Sequence, residues 1–225
     1  FERMSVNIAP TTYQLLALTN WQTQGEAAEV SNLSTTIERV IVILLDGFSW
    51  LFWENLTNLE LVHLAREPFF AEPAITVYPP ITNVATAALL TGYWPKSNGI
   101  LTRQNHQLLA PTVFDIASEN GLVTEYIEGD VGFLNLQADF EHWLIDKNGN
   151  GFTDDEIFEE AERSITTNRS DYLFIHFHGI DDIGHSSGPN SQKWLEKVLE
   201  IFSMINQLII QAPENTLFVL TADHG

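Results

Sequence analysis

The sequence predicts an open α/β fold, a mostly parallel sheet with helices on both faces. Three observations carry that prediction. β-Branched, apolar runs alternate with helical patterns along the chain. The runs are continuously apolar rather than alternating, as strands covered on both faces are. A chain of 225 residues with 44% hydrophobic content is long enough to bury one sizeable core.

Taken in order, "RVIVILLDGF" (39–48) reads as a buried strand ending abruptly in Asp-Gly, and "PAITVYPP" (73–80) as a shorter strand closed by two prolines. "LVTEYIEGD" (122–130), "DYLFIHFHGIDD" (171–182) and "TLFVLTADHG" (216–225) repeat the strand pattern. The intervening helices are read at "NLELVHLARE" (58–67), "NVATAALLTG" (83–92) and "TVFDIASENG" (112–121), the last with a glycine stop. "TDDEIFEEAERSI" (153–165) has Thr153 as N-cap and acids in its first turn. In "SQKWLEKVLEIFSMINQLI" (191–209), Trp194, Val198, Ile201, Phe202, Ile205 and Leu208 form a core-facing stripe. Residues 1–35 are polar and irregular, an N-terminal arm, and 36–225 form one folded unit.

Composition narrows the partners. Ten Lys+Arg against 30 Asp+Glu give a formal charge of −20, which repels nucleic acid and anionic membranes. No apolar run approaches the roughly 20 residues that span a bilayer. With no cysteine there is neither a disulfide framework nor a thiolate site. The basic residues are scattered, so an anionic ligand would draw its positive charge from metal ions. The chain begins at Phe1 with no basic-then-apolar leader in 1–35, as a processed exported protein would, so an extracytoplasmic (periplasmic or secreted) setting is expected.

Ligands of open α/β sheets bind beyond the carboxyl ends of the strands. Four of the five expected strands run into groups able to hold a cation or react: Asp46, the Thr82 turn, Asp181 and Asp223. The other ends in Asp130, which has no evident partner. Asp46 alone could be a turn residue bonding its own backbone. Asp181 and His185, four apart on a short loop, suit a borderline divalent cation, and Asp223 with His224 does so again. Thr82 and Asn83 open a helix directly after two prolines, where free N–H groups favour an anion; a plain N-cap threonine is the alternative. "DKNGNGFTDDEI" (146–157) resembles a calcium loop through Asp146, Asn148, Asn150 and Asp154, but Ile157 stands where a bidentate Glu belongs. A polar turn capping the next helix is the favoured reading there.

Four segments, "VILLDGFSW", "YPPITNVATAALLTGYWPKSNGI", "HGIDDIGHSSGP" and "LTADHG", together resemble the alkaline phosphatase superfamily. The nearest branch is the type I phosphodiesterase/nucleotide pyrophosphatase group, and "GIDDIGHSSGPNS" also resembles GPI ethanolamine-phosphate transferases. The resemblance implies two divalent cations, zinc foremost with manganese or magnesium as alternatives. Asp46, Thr82, Asp223 and His224 would hold one, and Asp181 and His185 would begin the other. It implies Thr82 as nucleophile, a phospho-threonine intermediate and a small phosphate-ester substrate. Such chemistry is physically sensible, because a threonine hydroxyl is a feeble nucleophile until a metal lowers its pKa.

Two departures from the family pattern stand out. Where phosphodiesterase relatives carry an Asn three residues after the nucleophile, this chain has Ala85, with Asn83 as the nearest amide. The second ion's further histidine lies beyond the DHG motif in the family, so the chain is expected to be the front part of a longer protein. His176 and His178 are read as hydrogen-bonded strand residues, with replacement of that histidine as the alternative. The substrate-facing loops are expected within 93–170. The resulting expectation is hydrolysis or transfer of a phosphate ester through Thr82; the alternatives are a catalytically impaired metal-binding member and a phosphoethanolamine transferase. Sulfatase chemistry is disfavoured, since there is no cysteine and no C/S-x-P-x-R motif.

Overall fold

In the computed structural model, which describes residues 37–66, 74–129 and 132–225, the first strand organises everything else. Strand β1 (Arg39–Leu45) is buried along its whole length. Its successive side chains point to opposite faces, so they enter two different cores. Val40, Val42 and Leu44 pack into one apolar cluster; Ile41, Ile43 and Leu45 pack into the other.

Strands β2 (Thr124–Gly129), β3 (Phe140–Leu144), β4 (Tyr172–Phe177) and β5 (Thr216–Ala222) complete a sheet of order β3-β2-β4-β1-β5. Every pairing is parallel. The seven helices among the described residues are α1 (Trp50–Asn58), α2 (Thr82–Thr91), α3 (Pro95–Asn98), α4 (Val113–Glu119), α5 (Asp154–Thr167), α6 (Gly179–Ser187) and α7 (Gln192–Gln211). Helices α2 and α4 cover one face of the sheet; α1, α5 and α7 cover the other. The expected α/β class, with helices on both faces, is therefore observed. Residues 1–35 and Asp130 lie outside the described residues.

Local chemistry sets the elements. Thr112 accepts from the Asp115 amide while the Asp115 carboxylate accepts from the Thr112 amide, a capping box that starts α4. Ser191 caps α7 at the Trp194 amide. The six stripe residues expected in α7 are all buried. Helix α2 is wrapped by protein on every side: Asn83 through Thr91 are all buried, so its apolar character runs all round.

Four expectations change. Among the described residues 74–80 there is no sheet strand, only a single bridge at Ile75. Pro79 and Pro80 have no amide hydrogen to give a ladder. The fifth strand is instead β3, an edge strand with exposed Phe140 and Trp143 that pairs with β2 alone. The helix expected at 58–67 lies earlier, in α1, because Phe52 and Trp53 stack on Trp194 and Phe202 of α7. Residues 59–66 follow it without helix. Finally, the loop expected to carry Asp181 and His185 is helix α6.

Ala85 is fully buried in the α2-facing core. Ala85→Asn is therefore expected to lower stability by about 1–3 kcal/mol, the cost of burying a carboxamide there. Denaturant-induced unfolding measures it.

Candidate metal centre

Register builds the centre. Leu45 pairs with Phe177 on β4 and with Ala222 on β5. The residues that follow, His178, Asp46 and Asp223, therefore stand level at the carboxyl ends of three adjacent strands. Asp46 is tied to β4 by its own amide, which donates to the Phe177 carbonyl at 3.0 Å. Glycine at 47 is required twice over. Its φ is +67°, and a Cβ there would sit 2.7 Å from Asp181 Oδ1. Its amide donates to Asp223 Oδ1 at 3.1 Å, joining the two strand ends.

His224 Nε2 is the middle of the group. It lies 3.3 Å from Asp46 Oδ1, 3.2 Å from Asp223 Oδ2 and 3.4 Å from Thr82 Oγ1. Tetrahedral ligands about 2.0–2.1 Å from a zinc ion are separated from one another by about 3.3–3.4 Å. Among the described residues, Asp46 Oδ1 and Asp223 Oδ2 are also buried without a hydrogen-bond partner. Two orphaned carboxylate oxygens, an imidazole and a hydroxyl at this spacing fit a divalent cation.

Asp181 and His185 sit one turn apart on α6, 3.2 Å from each other. Asp181 leans on the Asp46–Gly47 turn, whereas the His185 side chain is 73% exposed. Helix α6 exists because Asp154, from α5, accepts the His178 and Gly179 amides at 3.2 and 3.1 Å. A Cβ on Gly179 would meet Asp154 Oδ2, so only glycine admits that approach.

This removes Asp154 from the calcium-loop set. It is buried at the start of α6 and paired with Lys197 at 3.3 Å. The oxygens of Asp146, Asn148 and Asn150 accept the amides of Gly149, Gly151, Asn150 and Phe152. Residues 146–152 form a self-bonded polar turn, and Asp154, the fourth candidate calcium ligand, is engaged instead by the His178 and Gly179 amides.

Sequence reasoning gave Glu128 no part in the site and read His176 and His178 as hydrogen-bonded residues, with a place at the second ion as the alternative. His176 and Glu128 lie on adjacent strands in step with the Ile127–Ile175 pair. His176 Nδ1 is 2.8 Å from Glu128 Oε1, and its Nε2 is 3.5 Å from Asp46 Oδ2. His178 Nδ1 is 3.2 Å from Asp46 Oδ2, and its Nε2 is 3.2 Å from Glu128 Oε1. Two acids and two imidazoles thus close a buried ring beneath the first group. Glutamates within a short strand bounded by apolar neighbours, Glu125 and Glu128, were the available signal.

Electrostatics follows the burial. Burial pushes the Asp46 carboxyl up, but the His176 and His178 bonds and charges outweigh it and hold it well below the usual range. Glu128 is likewise held at about 2 against its burial by the same histidines. His178 is raised to about 10, its desolvation overcome by Asp46 and Glu128. Asp223 moves the other way, to about 6, through burial first and the Asp46 charge second. Asp181 is raised by burial and Asp46, opposed by His185, His224 and Arg103.

Asn83, next to Thr82, is buried and uses its amide nitrogen on the carbonyls of Thr102 and Asn105, at 2.7 and 2.9 Å. A third acid–histidine group, Glu125, His142 and Glu160, already contains a cation: Arg169 lies 2.7 and 2.8 Å from the two carboxylates.

A parallel α/β sheet whose carboxyl edge gathers acids, imidazoles and a helix-opening hydroxyl defines a protein suited to binding divalent cations. The chain belongs to the type I phosphodiesterase / nucleotide pyrophosphatase family, matched over residues 40–126 and 129–225. The expected kinship with alkaline phosphatase-like proteins is thus found, and the family is generally metal-dependent. GPI ethanolamine phosphate transferase 2 of Eremothecium gossypii is 22% identical over 213 residues, 86% of this chain. The chain spans 26% of that relative's length. Among solved structures, murine ectonucleotide pyrophosphatase / phosphodiesterase 5 superposes with a TM-score of 0.63 at 16% identity, covering 83% of this chain and 57% of that one. Phosphonoacetate hydrolase from Sinorhizobium meliloti gives 0.67 at 15% identity, covering 92% and 60%. Among the described residues no helix is long and apolar enough to cross a membrane.

Gly47→Ala forces a side chain into the left-handed region and against Asp181. It is expected to cost about 1–3 kcal/mol of stability, read from chemical unfolding.

Proposed function

We propose that the protein cleaves a phosphate ester by transferring the phosphoryl group to Thr82. The observation that carries this reading is the placement of Thr82 Oγ1 beside His224 Nε2, within the group formed by Asp46 and Asp223. Family membership supports phosphate-ester hydrolysis or transfer as the reaction class.

Asp46, Asp223, His224 and Thr82 would hold one divalent cation, zinc foremost, and Asp181 with His185 would begin a second site. Bound cations would polarise the phosphoryl oxygens and make the threonine hydroxyl acidic enough to react. The rest is the work of the chain. Helix α2 aims Thr82 Oγ1 at the carboxyl edge of the sheet, and its leading amides favour an anion there. Thr82 Oγ1 gives up its proton and forms a bond to phosphorus as the ester P–O bond breaks, and the departing alkoxide takes up a proton. Water then attacks the phospho-threonine, releasing phosphate from a monoester substrate or a phosphate monoester from a diester, and restoring the hydroxyl.

A second reading keeps these steps but ends on an alcohol acceptor in place of water. The curated relatives favour it, since their names specify ethanolamine phosphate transfer.

Thr82→Ala is expected to lower turnover of p-nitrophenyl phosphate esters below detection while the protein keeps most of its metal. Steady-state assay with elemental analysis of the same sample reads both; undiminished turnover rules out Thr82 as nucleophile.

Asp223 gives a pH dependence. Its folded pKa of about 6 lies above the ordinary 3.8. From 3.8 upward the unfolded chain ionises first, so this group withdraws stability from the metal-free fold as pH rises through that window. A cation requires the ionised carboxylate, so zinc affinity should climb by roughly tenfold per pH unit toward about 6 from this proton, and then level off. Calorimetric titration across pH 4.5–8, with Asp223→Asn as comparison, should show the slope in the parent protein and a shallower one in the variant.

A further inference from the structure

We propose that strand β3 is a docking edge for a second copy of this chain, the two copies joining through an antiparallel β3–β3 pair centred on Leu144. The contact stands whether or not Thr82 is a nucleophile.

An edge strand leaves a row of amides and carbonyls unpaired, and soluble proteins blunt such edges with charge, proline or bulges. Among the described residues, β3 pairs with β2 on one side and with no strand on the other. It carries no proline, and large apolar side chains stand in solvent along it. Phe140, Trp143 and Ile145 are 42, 38 and 57% exposed, three such residues within six positions. Glu141, Trp143, Ile145 and Lys147 are all exposed, while His142, Leu144 and Asp146 between them are half-buried. That alternation continues the pleat past the last residue paired to β2, so the odd-numbered residues share one face. The Trp143 ring rests 5.5 Å from that of Tyr126, which holds the row in place.

The row reads acid, aromatic, aliphatic, base, and turned end for end it complements itself. An antiparallel pair centred on Leu144 sets Glu141 opposite Lys147 of the second copy, and Lys147 opposite its Glu141. Trp143 meets Ile145 twice between these ion pairs, on the same face of the joined sheet. On the other face Leu144 meets its own counterpart, and His142 lies opposite Asp146. Sliding the copies by one residue either way breaks both ion pairs, and in one direction sets Glu141 against Asp146. Charge therefore selects one register.

Local positive charge matters here because copies with a formal charge of −20 repel one another at a distance. Lys147 supplies it just past the end of β3, and Arg169 adds a second cation over the Phe140 ring. The other edge strand, β5, has no charged side chain and so specifies no register of its own. Two five-stranded sheets joined in this way become one of ten strands.

Sedimentation velocity on the 225-residue chain, run over a concentration series, should show a monomer–dimer equilibrium. Glu141→Lys and Lys147→Glu should each weaken the dimer roughly tenfold or more, since each sets like charges opposite one another at two places. The double charge swap should recover most of the parent's affinity, a result that a merely structural role for either side chain would not give. Ile145→Lys, at an exposed position, should leave the circular dichroism spectrum unchanged and the protein monomeric. Amides of residues 141–146 should exchange hydrogen more slowly as protein concentration rises. A monomer at every concentration, or a dimer that none of these variants weakens, overturns the proposal. So does a double swap that stays as weak as the single variants.

Discussion

Two carboxylates buried side by side are the constraint on which this structure turns. Asp46 and Asp223 follow paired residues on neighbouring strands, and both are almost wholly removed from solvent. Like charges so placed repel, and each has lost its hydration. The fold answers with positive or donating groups from three directions: the Gly47 amide, the His224 ring, and His176 and His178 at the end of β4. Even so, one oxygen on each acid stays without a hydrogen-bond partner among the described residues. The same arrangement that strains the metal-free chain is what gives a cation its foothold.

Asp46 belongs to two assemblies at once. One carboxylate oxygen faces His176 and His178, which Glu128 backs in turn; the other faces His224. Tyr126 donates its hydroxyl to Glu128, so the support reaches into the apolar layer under α4. Such outer partners fix the orientation of a ligand carboxylate before any ion arrives. They also explain why His176 can lie inside a strand that is buried on both faces, with His178 buried just past its end.

What the sequence made legible was whatever two-sided burial writes as an unbroken apolar run. Strands β1, β4 and β5 and the stripe of α7 are of that kind, and the acids ending β1 and β5 stood out against those runs. Elements that depend on distant partners left no such trace. Strand β3 is an edge strand with three of its five residues exposed, so its pattern resembles a loop. Helix α6 contains two glycines and a polar run, which argue against helix locally. It forms because a carboxylate 25 residues upstream satisfies its first amides. Glu128 became part of the site only through strand register, and Asn83 reached the 102–105 loop only through tertiary contact. Neither relation is encoded in neighbouring residues.

The pairing of β1 with β5 bears on the order of events during synthesis. Asp46 and Asp223 are 177 positions apart, yet their strands lie edge to edge. A nascent chain can stack α2 and β4 against β1 as each emerges, but β5 arrives long afterwards. Until it docks, Asp46 flanks an open edge and the hydroxyl of Thr82 has no imidazole beside it. The acids and imidazole gathered at the carboxyl edge therefore come together only after this outermost strand has been made and has paired with β1.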